Sequence, residues 1–194
     1  MPQSPSQSGV ATNTQNEVVS SPMYYAQVNS VAKEGSQIAI TLAGGRVIRA
    51  PGSVYDKVKA NMLTARAARA AQAAGAVAPN DTVDGGCGVS WVYIGYQNTA
   101  AKPYLMTTGF TLKNWAAVSV DWVVHITGPG NPAYVYTYKT GASVITTPSK
   151  TWRGSHAANG PFGRWAASVD TLSWAIDVSG GVCSSAGPVD SHAL

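Results

Sequence analysis

The sequence contains few charged residues. Lys, Arg, Asp and Glu make up 11% of the 194 residues, against roughly 25% in an average soluble domain. The 13 basic and 9 acidic residues give a net charge of +4, and the basic residues form no run. Nucleic-acid-binding proteins usually concentrate Lys and Arg on one patch, so the sequence indicates no nucleic-acid partner. Low charge combined with many aromatic and small residues is typical of β-rich proteins that work outside the cell.

Long apolar runs are absent, and so is a recognisable export signal. No stretch approaches the roughly 20 apolar residues of a membrane span. The N-terminal segment "MPQSPSQSGVATNTQNE" has neither the basic start nor the apolar core of a signal peptide. Two interpretations follow: a cytoplasmic protein, or an exported protein whose signal peptide has been removed. The cysteines described below favour the second, and we expect an extracellular location.

Motifs of metal-dependent and nucleophilic hydrolases are also missing. The three histidines (His125, His156 and His192) form no H-x-x-x-H or H-E-x-x-H pattern, and no G-x-S-x-G is present. Asp121 and His125 share one face of a predicted strand, but the strand rise separates them by about 13 Å. The second half contains no glutamate, which argues against the paired carboxylates of a glycosidase. The sequence therefore predicts no catalytic residue, cofactor or metal site.

The only two cysteines, Cys87 and Cys183, lie near the two ends of the β-rich half. An even pair that brackets one domain predicts a disulfide joining its first strand to its last. Closing a loop of about 96 residues would stabilise the fold by roughly 4–5 kcal/mol, and such a bridge persists only in an oxidising compartment. The alternative is two unrelated buried thiols in a cytosolic protein.

The N-terminal part divides into a polar tail and a small β-plus-helix unit. Residues 1–22 lack hydrophobic periodicity, which predicts a disordered tail. Within 23–75, "QIAITL" and "RVIRA" flank the turn "AGG" and predict a β-hairpin. The helix is predicted in "SVYDKVKANMLTARAARAAQAAG", capped by Ser53 and Asp56 and ended by Gly75. We expect this unit to pack on the larger domain or on another protein, with residues 76–86 as a linker.

Residues 87–194 contain all six tryptophans and predict an all-β domain. Short strand patterns separated by Gly, Pro and Asn recur along it, which is typical of an antiparallel β-sandwich or barrel. The predicted fold is therefore mainly β. Alternation in "LSWAIDV" places Ser173 and Asp177 on the outward face. The predicted strands are 88–97, 104–112, 117–127, 133–139, 142–147, 164–170, 172–178 and 182–187.

Aromatic residues supply the candidate ligand-binding site. Tyr134, Tyr136 and Tyr138 alternate with smaller residues, so a strand would present all three rings on one face. That face is either a binding platform or part of the core. Trp152 and Arg153 lie in "TWRGSHAANGPFGRW", which we interpret as a glycine-flanked recognition loop.

The stretches "GGCGVSWVYIG", "TGFTL", "VSVDWVVHITG", "WRGS" and "GGVCSSAGPVDS" resemble small secreted β-rich proteins of unknown function from high-GC Gram-positive bacteria. The resemblance covers residues 85–192 and implies export and a disulfide-tied β-domain. It implies no catalytic activity.

These observations favour a secreted, non-enzymatic binding protein whose ligand is a cell-envelope glycan or another secreted protein. One alternative is a secreted hydrolase, or an enzyme inhibitor, that acts through the loop around His156. Another is a structural subunit of an extracellular assembly. An enzyme requires a histidine beside a carboxylate or hydroxyl in a pocket, whereas a binding protein requires an exposed aromatic patch.

Overall fold

The computed structural model describes residues 18–73, 86–96, 104–130 and 132–193, and in these ranges the fold is mainly antiparallel β. A 3-10 turn at Gly52–Val54 leads into helix α1, Tyr55–Ala73. The strands are β1 Val19–Tyr25, β2 Val28–Glu34, β3 Gln37–Leu42, β4 Val47–Pro51, β5 Gly86–Tyr96, β6 Tyr104–Leu112, β7 Ala117–Asp121, β8 Val123–Gly128, β9 Tyr134–Lys139, β10 Ser143–Ser149, β11 Thr151–Ala158, β12 Arg164–Val169, β13 Trp174–Asp177, β14 Val182–Ser185 and β15 Val189–Ala193.

The largest sheet has eight strands in the order β10-β7-β13-β14-β1-β5-β6-β11. Its two edge strands, β10 and β11, are joined through Lys150, whose carbonyl accepts a 2.8 Å hydrogen bond from the Leu112 N–H. The sheet therefore curves until it is nearly closed, like a barrel. A four-stranded sheet, β15-β12-β8-β9, faces its interior, and a third sheet, β2-β3-β4, packs outside.

Two hydrophobic cores hold these layers together. The first fills the interior of the large sheet and includes the fully buried Trp122 and Trp165. The second lies between the N-terminal unit and the outer surface of β7, β13 and β14, where Trp174 and Ile176 meet Val58 of α1. The N-terminal unit is thus attached to the β-domain by a continuous apolar layer.

Strand β1 corrects the predicted boundary of the N-terminal tail. Residues 19–22 were assigned to disorder, but they lie in a central strand between β14 and β5. Two serines and Pro22 make this strand hard to recognise in the sequence, since proline is disfavoured in central strands. Only Met23 is fully buried there. Residues 1–17 and most of the predicted linker lie outside the described ranges.

The helix start and the C-terminus also differ from expectation. Helix α1 begins at Tyr55 after the 3-10 turn, and Ser53 makes no capping hydrogen bond. No strand was predicted beyond residue 187, but His192 lies in β15, which pairs with β12. There its ring contacts Asp190, with 3.3 Å between Nε2 and a carboxylate oxygen.

The disulfide Cys87–Cys183 is present, with 6.1 Å between the two Cα atoms. Cys87 lies on β5, the first strand of the predicted β-domain. Cys183 lies on β14, and not on the last strand as expected. The bridge thus links the two strands that flank β1. No helix in the described ranges is long and apolar enough to cross a bilayer.

Candidate binding face

The tyrosine row on β9 points into the molecule. Tyr134 and Tyr138 pack against the interior core, and the Tyr134 hydroxyl accepts a 2.9 Å hydrogen bond from buried Tyr104. The ring of Tyr136 stacks on His156 with 4.1 Å between ring centroids and an angle of 7°. Because β9 and β11 are edge strands of different sheets, these rings fill the gap between them.

Burial is also reflected in the acid–base properties of the row. Burial raises the pKa of Tyr138, and the neighbouring Tyr136 adds to the shift. Tyr136 keeps 38% of its surface exposed. The contacts of the row are those of packing residues, and ligand binding by Tyr134, Tyr136 and Tyr138 stays a prediction.

Trp152, Arg153 and His156 lie on strand β11 and not in a recognition loop. This corrects the interpretation of "TWRGSHAANGPFGRW", in which the glycines suggested a loop. Gly154 instead occupies a strand position where an added Cβ would meet the Tyr138 hydroxyl. Trp152 points inward and lies 5.8 Å from Trp122 between ring centroids. Arg153, one residue on, is exposed on the opposite face.

Arg153 belongs to an outward surface that the N-terminal unit leaves uncovered and that the four-stranded sheet reaches at one end, where the Tyr93 ring lies 5.8 Å from the ring of His192. We call it the open face: the outer side of β1, β5, β6 and β11. The N-terminal unit covers the outer side of β7, β13 and β14, and its core does not extend to these four strands. Tyr24 is 50% exposed on the open face. The open face also carries the side chains of Val89, Trp91, Tyr93, Thr107, Arg153 and Ser155.

Trp91 lies at the centre of the open face. It pairs across the strands with Gly109, which pairs in turn with Arg153. A Cβ at Gly109 would approach Cζ2 of Trp91 to 2.8 Å, so glycine allows the indole to lie over the neighbouring strand. The guanidinium carbon of Arg153 is 5.7 Å from the Trp91 ring centroid, within reach of a cation–π contact. Thr107 and Ser155 complete the lining of a depression of about 310 Å³.

The charge of this depression is that of Arg153 alone. None of its described lining residues is acidic, and Arg153 makes no hydrogen bond or ion pair to a described residue. A planar guanidinium whose N–H groups make no hydrogen bond to a described residue can bind a carboxylate or hydroxyl groups in two-point fashion. Together the indole and the guanidinium offer an apolar surface and a cationic donor side by side.

Sequence reasoning identified Arg153 but missed Trp91. The sequence pattern that indicates an outward Trp91 is "GVSWVYIGY", where Val89, Trp91 and Tyr93 alternate with residues that point inward. Two outward aromatics on one strand could have been noticed as readily as the tyrosine row. What the sequence could not show was Gly109 opposite Trp91, since strand register is set by the fold.

His125 forms a separate polar cluster on the outer face of the four-stranded sheet. Its Nε2 is 3.2 Å from a carboxylate oxygen of Asp170, and its Nδ1 is 3.4 Å from the Thr137 hydroxyl. Burial alone would raise the pKa of Asp170. The Leu172 N–H and the neighbouring His125 and Arg46 outweigh it and lower that pKa below its usual range. Asp121, the partner considered from the sequence, lines the same cleft of about 410 Å³.

No metal centre is evident in the parts of the chain that the structure describes, where no three His, Cys, Asp or Glu side chains form a group suited to an ion. Comparison with protein-family models, with curated proteins and with solved structures found no significant match to this chain.

Proposed function

We propose that this protein is an extracellular, non-enzymatic binding protein whose open face holds a glycan of the cell envelope. The observation that carries the proposal is Trp91, which lies over Gly109 next to Arg153, a cation that makes no hydrogen bond or ion pair to a described residue. Sugar rings have apolar C–H faces that pack on flat indoles, while their hydroxyls need hydrogen-bond partners. An aromatic surface with one cation and several hydroxyls meets both requirements.

The open face is suited to an extended ligand. Tyr24, Val89 and Trp91 lie on two neighbouring strands, and exposed apolar surface of this kind marks interaction sites in soluble proteins. Arg153 favours glycans that carry carboxylates, because a guanidinium pairs with a carboxylate in a bidentate geometry. Neutral regions of the same glycan would pack on Tyr24 and Trp91.

The extracellular location is supported by the Cys87–Cys183 disulfide, since such bridges persist in oxidising compartments. The low charge content and the resemblance to small secreted proteins of high-GC Gram-positive bacteria point the same way. Binding of another secreted protein remains the second choice of partner, and it would use the same face.

A glycan array followed by titration calorimetry tests the proposal. Trp91→Ala should weaken binding of the glycan found on the array by more than about tenfold, as for a central aromatic contact. Arg153→Ala should weaken binding of carboxylated glycans more than that of neutral ones. The matched control is Phe162→Ala, because Phe162 is 76% exposed but lies outside the open face.

Two results would count against glycan binding. One is equal loss of affinity in the Trp91 and Phe162 variants, which would indicate a non-specific apolar contact. The other is an array without hits together with capture of one secreted protein that the Trp91 variant fails to capture, which would favour a protein partner. Concentration-dependent self-association that requires Trp91 would instead favour a structural subunit.

A second candidate function, hydrolysis, has one specific observation in its favour: His125 lies between a carboxylate and a hydroxyl. This is the histidine, carboxylate and hydroxyl combination that nucleophilic catalysis uses. The 3.4 Å contact to Thr137 is long, and the His125 side chain is 49% exposed, so water would compete for it. Turnover of p-nitrophenyl acetate that is lost in both His125→Ala and Thr137→Val would support this function.

A further inference from the structure

A third cavity lies where helix α1 meets the β-domain, and we call it the junction groove. Its volume is about 540 Å³, within the range of small-molecule sites. One wall is α1, another is the β1–β2 connection, and the third is the loop between β6 and β7. The polar and aromatic side chains that line it include Tyr25, Gln27, Asn61, Arg69, Asn114 and Trp115, and Ser179 lines it from the connection between β13 and β14.

The walls of the junction groove are fixed by buried hydrogen bonds. The Tyr25 hydroxyl donates to buried Asp177 at 3.1 Å, and the same carboxylate accepts from the N–H groups of Ser179 and Gly181. Burial, reinforced by Asp177, raises the pKa of Tyr25 to about 12, so its hydroxyl is protonated at neutral pH. A Cβ at Gly181 would lie 2.6 Å from the Tyr25 ring, which shows how closely this wall is packed.

The wall formed by the loop between β6 and β7 is also held by hydrogen bonds. The loop that presents Trp115 is held at one end by a 2.9 Å hydrogen bond from the Lys113 N–H to the Cys87 carbonyl. At the other end the Val178 N–H donates to the Ala116 carbonyl at 2.8 Å. Trp115 nevertheless keeps 50% of its surface exposed. An indole held by its backbone but left uncovered is a preorganised contact for a ligand.

The charge and hydrogen-bonding groups define the ligand. Arg69 is the only charged residue among the described lining residues. The side-chain amides of Asn61 and Asn114 make no hydrogen bond to another described residue. Buried Met62 and Val28 provide the apolar part of the lining. The groove thus combines one cation, two available amides and an apolar surface next to an exposed indole.

From this combination we infer that the junction groove binds a small amphipathic carboxylate, with its carboxylate on Arg69 and its apolar part against Trp115 and Met62. This site is independent of the open face and of the proposed glycan. It uses no residue of that face, so either site can fail without affecting the other.

The test uses the full-length protein and three carboxylates as probes: benzoate, indole-3-acetate and octanoate. The indole N–H resonance of Trp115, assigned with Trp115→Phe, should shift and saturate with at least one probe. Arg69→Gln should weaken that binding about tenfold or more, since hydrogen bonds to a charged group are stronger than those between neutral groups. Lys57→Gln is the matched control, because Lys57 is an exposed cation on the same helix outside the groove.

Benzamide, the neutral analogue of benzoate, separates charge recognition from apolar contact and should bind at least tenfold more weakly. Unchanged melting temperatures for the Arg69 and Lys57 variants exclude misfolding as the cause. The inference is overturned if none of the three carboxylates shifts the Trp115 resonance saturably. It is also overturned if the Arg69 and Lys57 variants lose equal affinity, or if benzamide binds as tightly as benzoate.

Discussion

Replacing both cysteines with alanine should lower the free energy of unfolding by about 4–5 kcal/mol. In the chain-entropy treatment, a bridge between residues 96 positions apart removes about 16 cal/mol/K from the unfolded chain, or about 4.7 kcal/mol at 25 °C. That is a large share of the roughly 5–15 kcal/mol that stabilises a typical protein. For a chain of this size it corresponds to a fall in melting temperature of roughly 10–20 °C.

The assay is urea denaturation followed by tryptophan fluorescence, with Cys87→Ala/Cys183→Ala compared with the oxidised wild type. Both cysteines are buried, so the variant also loses packing. The reduced wild type is therefore the matched control, because it retains both sulfur atoms and lacks only the bond. The dependence of the unfolding free energy on urea concentration should be steeper for the double variant and for the reduced wild type than for the oxidised wild type, since an unfolded chain without the bridge exposes more surface.

The reasoning would be refuted if the reduced wild type differed from the oxidised protein by less than about 1 kcal/mol. It would also be refuted if a thiol titration of natively produced protein found two free thiols. Either result would remove the main physical support for an extracellular location.

Three further predictions concern single positions. Gly180 and Gly45 have almost the same positive φ (86° and 82°), but only at Gly180 would a Cβ overlap the backbone of α1. Thermal denaturation should therefore show that Gly180→Ala lowers the free energy of unfolding by at least about 2 kcal/mol more than Gly45→Ala does. Equal losses would contradict the packing of Gly180 against the helix. The raised pKa of Tyr25 means that its contribution to stability is complete below pH 10 and is lost between pH 10 and 12. The stability difference between wild type and Tyr25→Phe should therefore fall across that interval, and a constant difference would show that folding does not raise this pKa. The lowered pKa of Asp170 gives the opposite pH dependence: its contribution to stability is present above pH 3.8 and is lost as the pH falls through the lower pKa of the folded state. The melting temperatures of wild type and Asp170→Asn should therefore converge as the pH is lowered. A constant difference would show that the partners of Asp170 do not stabilise the fold.

The sequence predicted the mainly antiparallel β fold and the disulfide because these have strong local signals. Alternating strands, glycine-bearing turns and a single cysteine pair each constrain the fold independently. The tyrosine row illustrates the limit of such signals. Its alternation established that three rings share one face, but only the position of β9 opposite β11 shows that this face points inward.

Burial on both sides of a strand was harder to predict. Asp177 and Ser173 were expected to point to solvent, yet both are fully buried. Their strand region is covered by the interior core on one side and by the N-terminal unit on the other. Asp177 is accommodated because Tyr25, Ser179 and Gly181 donate hydrogen bonds to it. Likewise, His125 meets Asp170, a residue 45 positions away, and no local pattern could have indicated that pair.

The central position of β1 determines when this chain can fold. Its partner β14 is near the C-terminus, so the eight-stranded sheet cannot be completed until nearly all of the chain has been synthesised. Pairings between such distant segments form slowly because a long loop must close first. We therefore expect the eight-stranded sheet and the Cys87–Cys183 disulfide of a newly made chain to form only after β14 has been synthesised.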